Sequence, residues 1–180
     1  MNFKEYIDAY LNQKVDYDWV YWYQCVDLVK HFSKKVLWIE LWGFGWSAKS
    51  WFDNGMWISS KWFIKYNNTP DWIPEPWSII FWKWWPYEQY WHTAIVVYAD
   101  INNIKVLEQN ALWTWNWEWV NAIRLHNYNY DYVAGWYTKE VEKKSYWDIL
   151  IELSQTQLVA LWQWEWYIKK NNKKFKIPKL

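Results

Sequence analysis

The order of apolar periodicities along this chain predicts an α+β fold, with N-terminal helices packed on an antiparallel β-sheet. Three observations carry the expectation. The N-terminal part repeats apolar residues at helical spacing. Residues 78 to 137 instead hold short apolar runs separated by turn residues. The length, 180 residues with 53% apolar, suits one core of ordinary size plus a short appendage.

Residues 3 to 14 place Phe3, Tyr6, Ile7, Tyr10 and Leu11 at helical spacing, so the chain opens with a short amphipathic helix. An acidic turn, VDYDWVYW, follows. From there Cys25, Leu28, Val29, Phe32 and Val36 recur at i, i+3, i+4, i+7 and i+11, which sets Cys25 at the N-terminus of a second helix. Residues 40 to 78 are rich in turn formers (Gly43, Gly45, Asn54, Gly55, Asn67, Asn68, Pro70, Pro74, Pro76) and read as loop and short helix. Strands are expected at 78–82, 93–98 and 104–108, with a fourth around 132–137. Helices followed by neighbouring strands make an α+β layer. Beyond Thr138 the text turns charged and helical, ending in a tail with Lys169, Lys170, Lys173, Lys174, Lys176 and Lys179. The division expected is therefore a main folded unit over 1–138 and a helical appendage with a lysine-rich tail over 139–180. That tail reads as a solvated end, or as an electrostatic attachment to anionic polymers or membrane.

Several classes are excluded. A net charge of +1 and a pI near 7.7 speak against a nucleic-acid binder. The longest apolar runs, near 77–82 and 93–98, are too short to span a bilayer as helices, so no transmembrane segment is expected. The opening MNFKEYIDAYLNQ carries Lys4, Glu5 and Asp8 and lacks the pattern of a signal peptide, so any export is expected by another route. One cysteine permits no intramolecular disulfide; Cys25 is either core filler or a reactive thiol.

A thiol gains nucleophilic power at a helix N-terminus beside an imidazole. Cys25 stands at such a terminus, and His92 opens the apolar run TAIVVYA, where a strand would hold it rigidly. A third group should orient the imidazole, and LEQN offers a carboxylate at Glu108 and an amide at Asn110. Each of these has a plainer reading, as a surface histidine or as residues that end a strand and begin a turn.

The strings YQCVDLV, SAKSWF, NTPDWIPEPWSIIFW, YWHTAIVV, LEQNA, AIRL and VAGWY occur in this order over roughly residues 14 to 138. Together they resemble the CHAP domain, the cysteine- and histidine-dependent amidohydrolase/peptidase family common in phage endolysins and part of the papain-like NlpC/P60 superfamily. The resemblance implies a papain-like fold and amide-bond hydrolysis in bacterial peptidoglycan. It makes Cys25 the nucleophile and His92 the base, with Glu108 and Asn110 completing the site. The Cys25 backbone N–H is the expected oxyanion donor, with Gln24 or Tyr23 adding to it and Trp91 lying on the substrate side. No organic cofactor is called for, and the chain is expected to act as a monomer at the cell wall, reached by holin-dependent release or as part of a virion.

Asp16, Asp18, Val20 and Trp22 alternate ahead of Asp27, and hard oxygen ligands at every second position suit calcium. The resemblance implies a structural Ca2+ here, on the carboxylates of Asp16, Asp18 and Asp27, with Val20 and Trp22 as carbonyl ligands. The plainer reading is a solvated turn with Asp27 favouring a helix N-terminus. Two further functions stay open: a non-catalytic wall- or carbohydrate-binding module with aromatic platforms, and a papain-like amidase on another substrate such as glutathionylspermidine.

Tryptophan is anomalous: 23 residues against 4 glycines. In PEPW, Pro76 suits the second position of a type II turn, whose next residue, Trp77, would then need a positive φ. Trp22, Trp46 and Trp91 stand where the family pattern calls for glycine, and LWTWNWEWV, with Trp113, Trp115, Trp117 and Trp119, reads as a glycine-rich loop once exchanged. A bulky residue in left-handed geometry costs roughly 1–2 kcal/mol. The expectation is that UGA codons meant as glycine have been read as tryptophan, whereas Trp51, Trp82 and Trp136 fit the family as tryptophan. The alternative is a truly Trp-rich aromatic surface.

Overall fold

The computed structural model describes residues 1–41, 47–55, 63–83, 89–111 and 122–139. Helix α1 (Phe3–Tyr10) begins at Asn2, whose side chain accepts the Glu5 N–H while the Glu5 carboxylate accepts the Asn2 N–H. This reciprocal cap satisfies two of the donors that a helix start leaves open. The helix buries Phe3 and Tyr6. The Tyr6 hydroxyl meets His31 Nδ1 at 2.9 Å and its ring lies edge-on to Phe32, 5.4 Å between centroids, which fastens α1 to helix α2 (Cys25–Phe32). Helix α2 buries Val26, Leu28, Val29 and Phe32 and continues as a π-type turn over Ser33–Leu37. Helix α3 (Ala48–Asn54) is capped by Ser47 and buries Ala48, Trp51 and Phe52.

Six strands follow: β1 (Phe63–Asn67), β2 (Ile79–Trp82), β3 (His92–Ala99), β4 (Ile104–Glu108), β5 (Arg124–Tyr128) and β6 (Val133–Lys139). They form one sheet in the order β1-β6-β2-β3-β4-β5, with every neighbouring pair antiparallel. The α+β architecture expected from the sequence is thus present, and the four expected strands correspond to β2, β3, β4 and β6. Strands β1 and β5 were not expected, for a physical reason. Both are sheet edges: β1 buries only Phe63, and no residue of β5 is fully buried. Without a buried face, an edge strand need not show the alternation by which strands are read.

The sheet is apolar on both sides. Ile79, Phe81, Ile95, Leu107 and Tyr137 pack with the buried residues of the three helices. Ile80, Trp82, Ala94, Val96, Ile104, Val106, Val133 and Trp136 form a second cluster. This division follows from the two-residue period of a strand. Among the described residues no helix is long and apolar enough to cross a membrane. Strand β6 runs through Lys139, and the helical, lysine-rich segment expected beyond it lies outside the described residues.

Gly135, in β6, stands between β1 and β2, opposite Asn67 and Phe81. A Cβ there would lie 2.2 Å from the Tyr66 carbonyl oxygen and 3.0 Å from the Phe52 ring. Backbone of a paired strand cannot move aside cheaply, so Gly135→Ala should cost more than about 2 kcal/mol in urea unfolding. A loss under about 0.5 kcal/mol, the range of ordinary surface changes, would contradict this tight approach.

Candidate active site

Cys25 is the first residue of α2 and is half-buried. Gln24, the residue before the helix, is extended (φ −83°, ψ 160°), and its N–H donates to Asp27 Oδ2 at 2.9 Å. That bond fixes the entry of the chain into the helix and so the place of the thiol. His92, the first residue of β3, is buried at 2% exposure and is hydrogen-bonded to the Cys25 thiol. Its Nε2 meets Glu108 Oε2 at 3.1 Å, which leaves Nδ1 for the thiol. Helix α2 and strands β3 and β4 thereby bring a thiol, an imidazole and a carboxylate into one line.

Glu108, the last residue of β4, has no exposure. The pairing of Ile95 with Leu107 sets Glu108 one diagonal step from His92. Glu108 is also the register partner of Arg124 on β5, whose Nε donates to Oε1 at 2.9 Å. The Tyr128 hydroxyl donates to the same carboxylate at 3.0 Å from Oε2. Burial pushes the Glu108 carboxyl up, but its hydrogen bond and charge interaction with His92, and those with Arg124, outweigh this and hold it below its ordinary range. For His92, burial acts to lower the pKa, while hydrogen bonds and charge interactions with Cys25 and Glu108 prevail and raise it to about 9. The Trp82 ring, 6.0 Å from the imidazole and 5.1 Å from the Tyr128 ring, packs against the group.

The sequence left Glu108 and Asn110 as equal candidates for the second imidazole nitrogen, and the geometry gives that position to Glu108. Asn110, in a left-handed conformation (φ 56°), instead donates from Nδ2 to Gln24 Oε1 at 3.2 Å. The Gln24 amide also donates from Nε2 to the Tyr21 carbonyl at 2.6 Å. Tyr23 carries Lys14 Nζ over its ring at 5.5 Å, and Trp91 packs on Phe52, with centroids 5.5 Å apart.

Three residues that sequence reasoning did not single out hold this group together. Arg124 and Tyr128 clamp Glu108. Gln109, fully buried, accepts the Val15 N–H at 2.8 Å and donates to the carbonyls of Val15 at 2.8 Å and Gln24 at 2.9 Å. It ties the end of β4 both to the start of the acidic loop and to the residue before the nucleophile. A signal was present, since a buried carboxylate needs a cation and AIRL supplies one, but the pairing of β4 with β5 is what joins them.

The acidic loop gathers Asp16, Asp18 and Asp27, each offering one carboxylate oxygen within 4.8 Å of the others. Such spacing fits a cation whose oxygen ligands lie at about 2.3–2.6 Å. Burial raises the Asp27 carboxyl to about 6, against its bond from Gln24, with the charges of Asp18 and Asp16 adding to the rise and Lys30 opposing it. Lys30 pairs with Asp18. The Asp16 and Asp18 carboxylates also accept the N–H groups of Trp19 and Val20, at 2.8 Å and 3.0 Å. The Trp22 carbonyl accepts the Gln24 N–H at 2.8 Å.

Replacing Gln109 by leucine should cost about 2–4 kcal/mol in denaturant unfolding, because buried groups of Val15 and Gln24 lose their partners. Gln109→Glu keeps the acceptor for Val15 but loses both donations, and should be no milder. A change under about 0.5 kcal/mol in both variants would show that Gln109 does not hold the loop.

Residues 15–110 match the family model described as CHAP domain. The chain is 31% identical over 113 residues to the endolysin PlyTW of Staphylococcus phage Twort, a match that covers 59% of this chain and 23% of that protein. It thus spans about a quarter of that relative's length. Its fold is similar to that in the crystal structure of the wild type endolysin LysIME-EF1, with a TM-score of 0.61 at 20% identity, covering 77% of this chain and 63% of the other. With more than half of its length matched by the family model, the chain belongs to the CHAP domain family.

Proposed function

We propose that this chain is a peptidoglycan hydrolase that cuts amide bonds by a thiol mechanism. The observation that carries the reading is the line Cys25–His92–Glu108, with the imidazole between a half-buried thiol and a fully buried carboxylate. The names of the relatives, both endolysins, supply the substrate class.

In this mechanism the proton that leaves Cys25 is already held on His92, whose raised pKa keeps the ring charged at neutral pH, when sulfur attacks the amide carbonyl, and the resulting oxyanion is met by the Cys25 backbone N–H. Early N–H groups of a helix have no partner within it, so this donor is free to point at substrate. The imidazolium returns its proton to the leaving amine as the C–N bond breaks, which leaves an acyl-enzyme. His92 then draws a proton from water, which attacks the thioester and releases the acid. Glu108 keeps the ring in one orientation and stabilises its positive charge. Asn110, through Gln24, steadies the residue beside the nucleophile. Amidase cleavage between sugar and stem peptide and endopeptidase cleavage within a stem or cross-bridge use the same groups. A non-catalytic wall-binding module would gain nothing from a buried carboxylate–imidazole pair facing a thiol, since desolvating such a pair is costly.

We also infer that the acidic loop takes a structural calcium ion on Asp16, Asp18 and Asp27, with carbonyls of Val20 and Trp22 available beside them. The ion would neutralise three converging carboxylates and stiffen the approach to α2; it takes no part in bond breaking.

Purified peptidoglycan should yield soluble fragments whose masses identify the cut bond, and Cys25→Ser should release none while unfolding at an unchanged temperature. Undiminished release by Cys25→Ser would exclude the thiol mechanism. A saturating calcium concentration, near 100 times Kd, should add about 2.7 kcal/mol of stability, or several degrees in Tm over a chelated sample. Identical melting with calcium and with chelator would dismiss the ion.

A further inference from the structure

We infer that the functional protein carries glycine, not tryptophan, at positions 19, 22, 38, 77 and 91. Nine residues other than glycine have positive φ among those described, and five are Trp19 (φ 61°), Trp22 (61°), Trp38 (60°), Trp77 (75°) and Trp91 (60°). Two more are asparagines, which tolerate this region; for a bulky side chain it is a genuine outlier. Both glycines among the described residues, Gly55 and Gly135, have positive φ as well. The fold thus asks for glycine more often than the sequence provides it, and tryptophan stands at five of the seven places left over, with Tyr21 and Tyr132 at the other two.

Each place has a local reason. Trp38 follows the π-type turn as its left-handed C-terminal cap, with its N–H on the Ser33 carbonyl, the position that glycine dominates. Trp77 follows Pro76 in a turn closed by the Ser78 N–H on the Glu75 carbonyl, so it is the third residue of a type II turn, which requires positive φ. Trp19 and Trp22 bend the acidic loop, and Trp91 makes the turn into β3. Packing does not repay the strain, since Trp19, Trp22 and Trp38 are 86%, 72% and 82% exposed. Trp77 is 43% exposed and meets Phe3 at the ring edge, and Trp91 rests on Phe52 beside Lys49.

Trp51, Trp82 and Trp136 behave in the opposite way. They are 1%, 0% and 1% exposed, lie in α3, β2 and β6, and have ordinary backbone. Trp72, exposed with ordinary backbone, belongs to neither set; the other described tryptophans divide into five with a left-handed backbone and three that are buried and regular, which is what two codons produce when both are read as tryptophan. UGA is read as tryptophan in some genetic codes and as glycine in others, and UGG is tryptophan in both. Trp19 and Trp38 were not singled out by sequence; their backbone adds them. Trp46, Trp113, Trp115, Trp117 and Trp119 lie outside the described residues. If the hydrolase reading holds, glycines at 22 and 91 also remove indoles from the approaches to Cys25 and His92.

Peptide mass analysis of the protein from its native source should find glycine at 19, 22, 38, 77 and 91, and tryptophan at 51, 82 and 136. Tryptophan at the five positions overturns the inference. Recombinantly, the chain with glycine at all five should melt about 5–10 °C above the tryptophan chain, and a Trp82→Gly control should melt lower. An equal or lower melting temperature for the five-glycine chain overturns the backbone argument. Neither readout depends on activity, so failure here is distinct from failure of the hydrolase reading.

Discussion

Burying a carboxylate costs several kcal/mol unless cations and donors meet it, and the site depends on how Glu108 is met. With no exposure, it accepts from Arg124 and Tyr128 and lies against His92 Nε2. The β4–β5 register delivers Arg124, and the β3–β4 register delivers His92. Three adjacent strands must therefore pair correctly before the imidazole has its partner, which couples the sheet to the chemistry. Once Glu108 is in place, His92 can hold a positive charge although it is buried, and its other nitrogen faces the thiol.

The nucleophile reaches this line by a separate set of constraints. Gln109, next to Glu108, fastens both Val15 and Gln24, so two consecutive residues at the end of β4 orient the base and position the helix that bears the thiol. Asp27 closes the first turn of that helix from within, at the cost of a carboxyl raised to about 6 beside two further carboxylates. The loop between Val15 and Gln24 is thus pinned at both ends, with the carboxylates of Asp16 and Asp18 beside that of Asp27.

Much of this was legible because it depends on local pattern. The helical spacing from Cys25 to Val36 placed the thiol at a helix start, and the apolar run after His92 placed the imidazole at a strand start. The alternating aspartates marked a convergence of carboxylates. What was not legible depends on pairing between distant segments: Arg124 and Tyr128 lie on an edge strand without apolar alternation, and Gln109, although it stands between the two candidates in LEQN, acts through Val15 and Gln24, more than 80 residues away. The choice between Glu108 and Asn110 was equally hidden, since they stand two residues apart and only the end of β4 at Glu108 and the left-handed turn at Asn110 separate them. The turn at Trp77 could be foreseen from Pro76, whereas Trp19 and Trp38 bear no such mark and emerge from the backbone alone.

The hold of Glu108 on His92 is tested most directly by a nitrogen NMR titration of the His92 imidazole, in the unaltered chain and in Glu108→Gln. With burial opposed by Cys25 and Glu108, the ring should stay doubly protonated through neutral pH and lose its proton near pH 9. Removal of the carboxylate charge should move that transition clearly downward. A ring that is already neutral at pH 7 in the unaltered chain, or a transition that Glu108→Gln leaves in place, would contradict the role of the buried carboxylate.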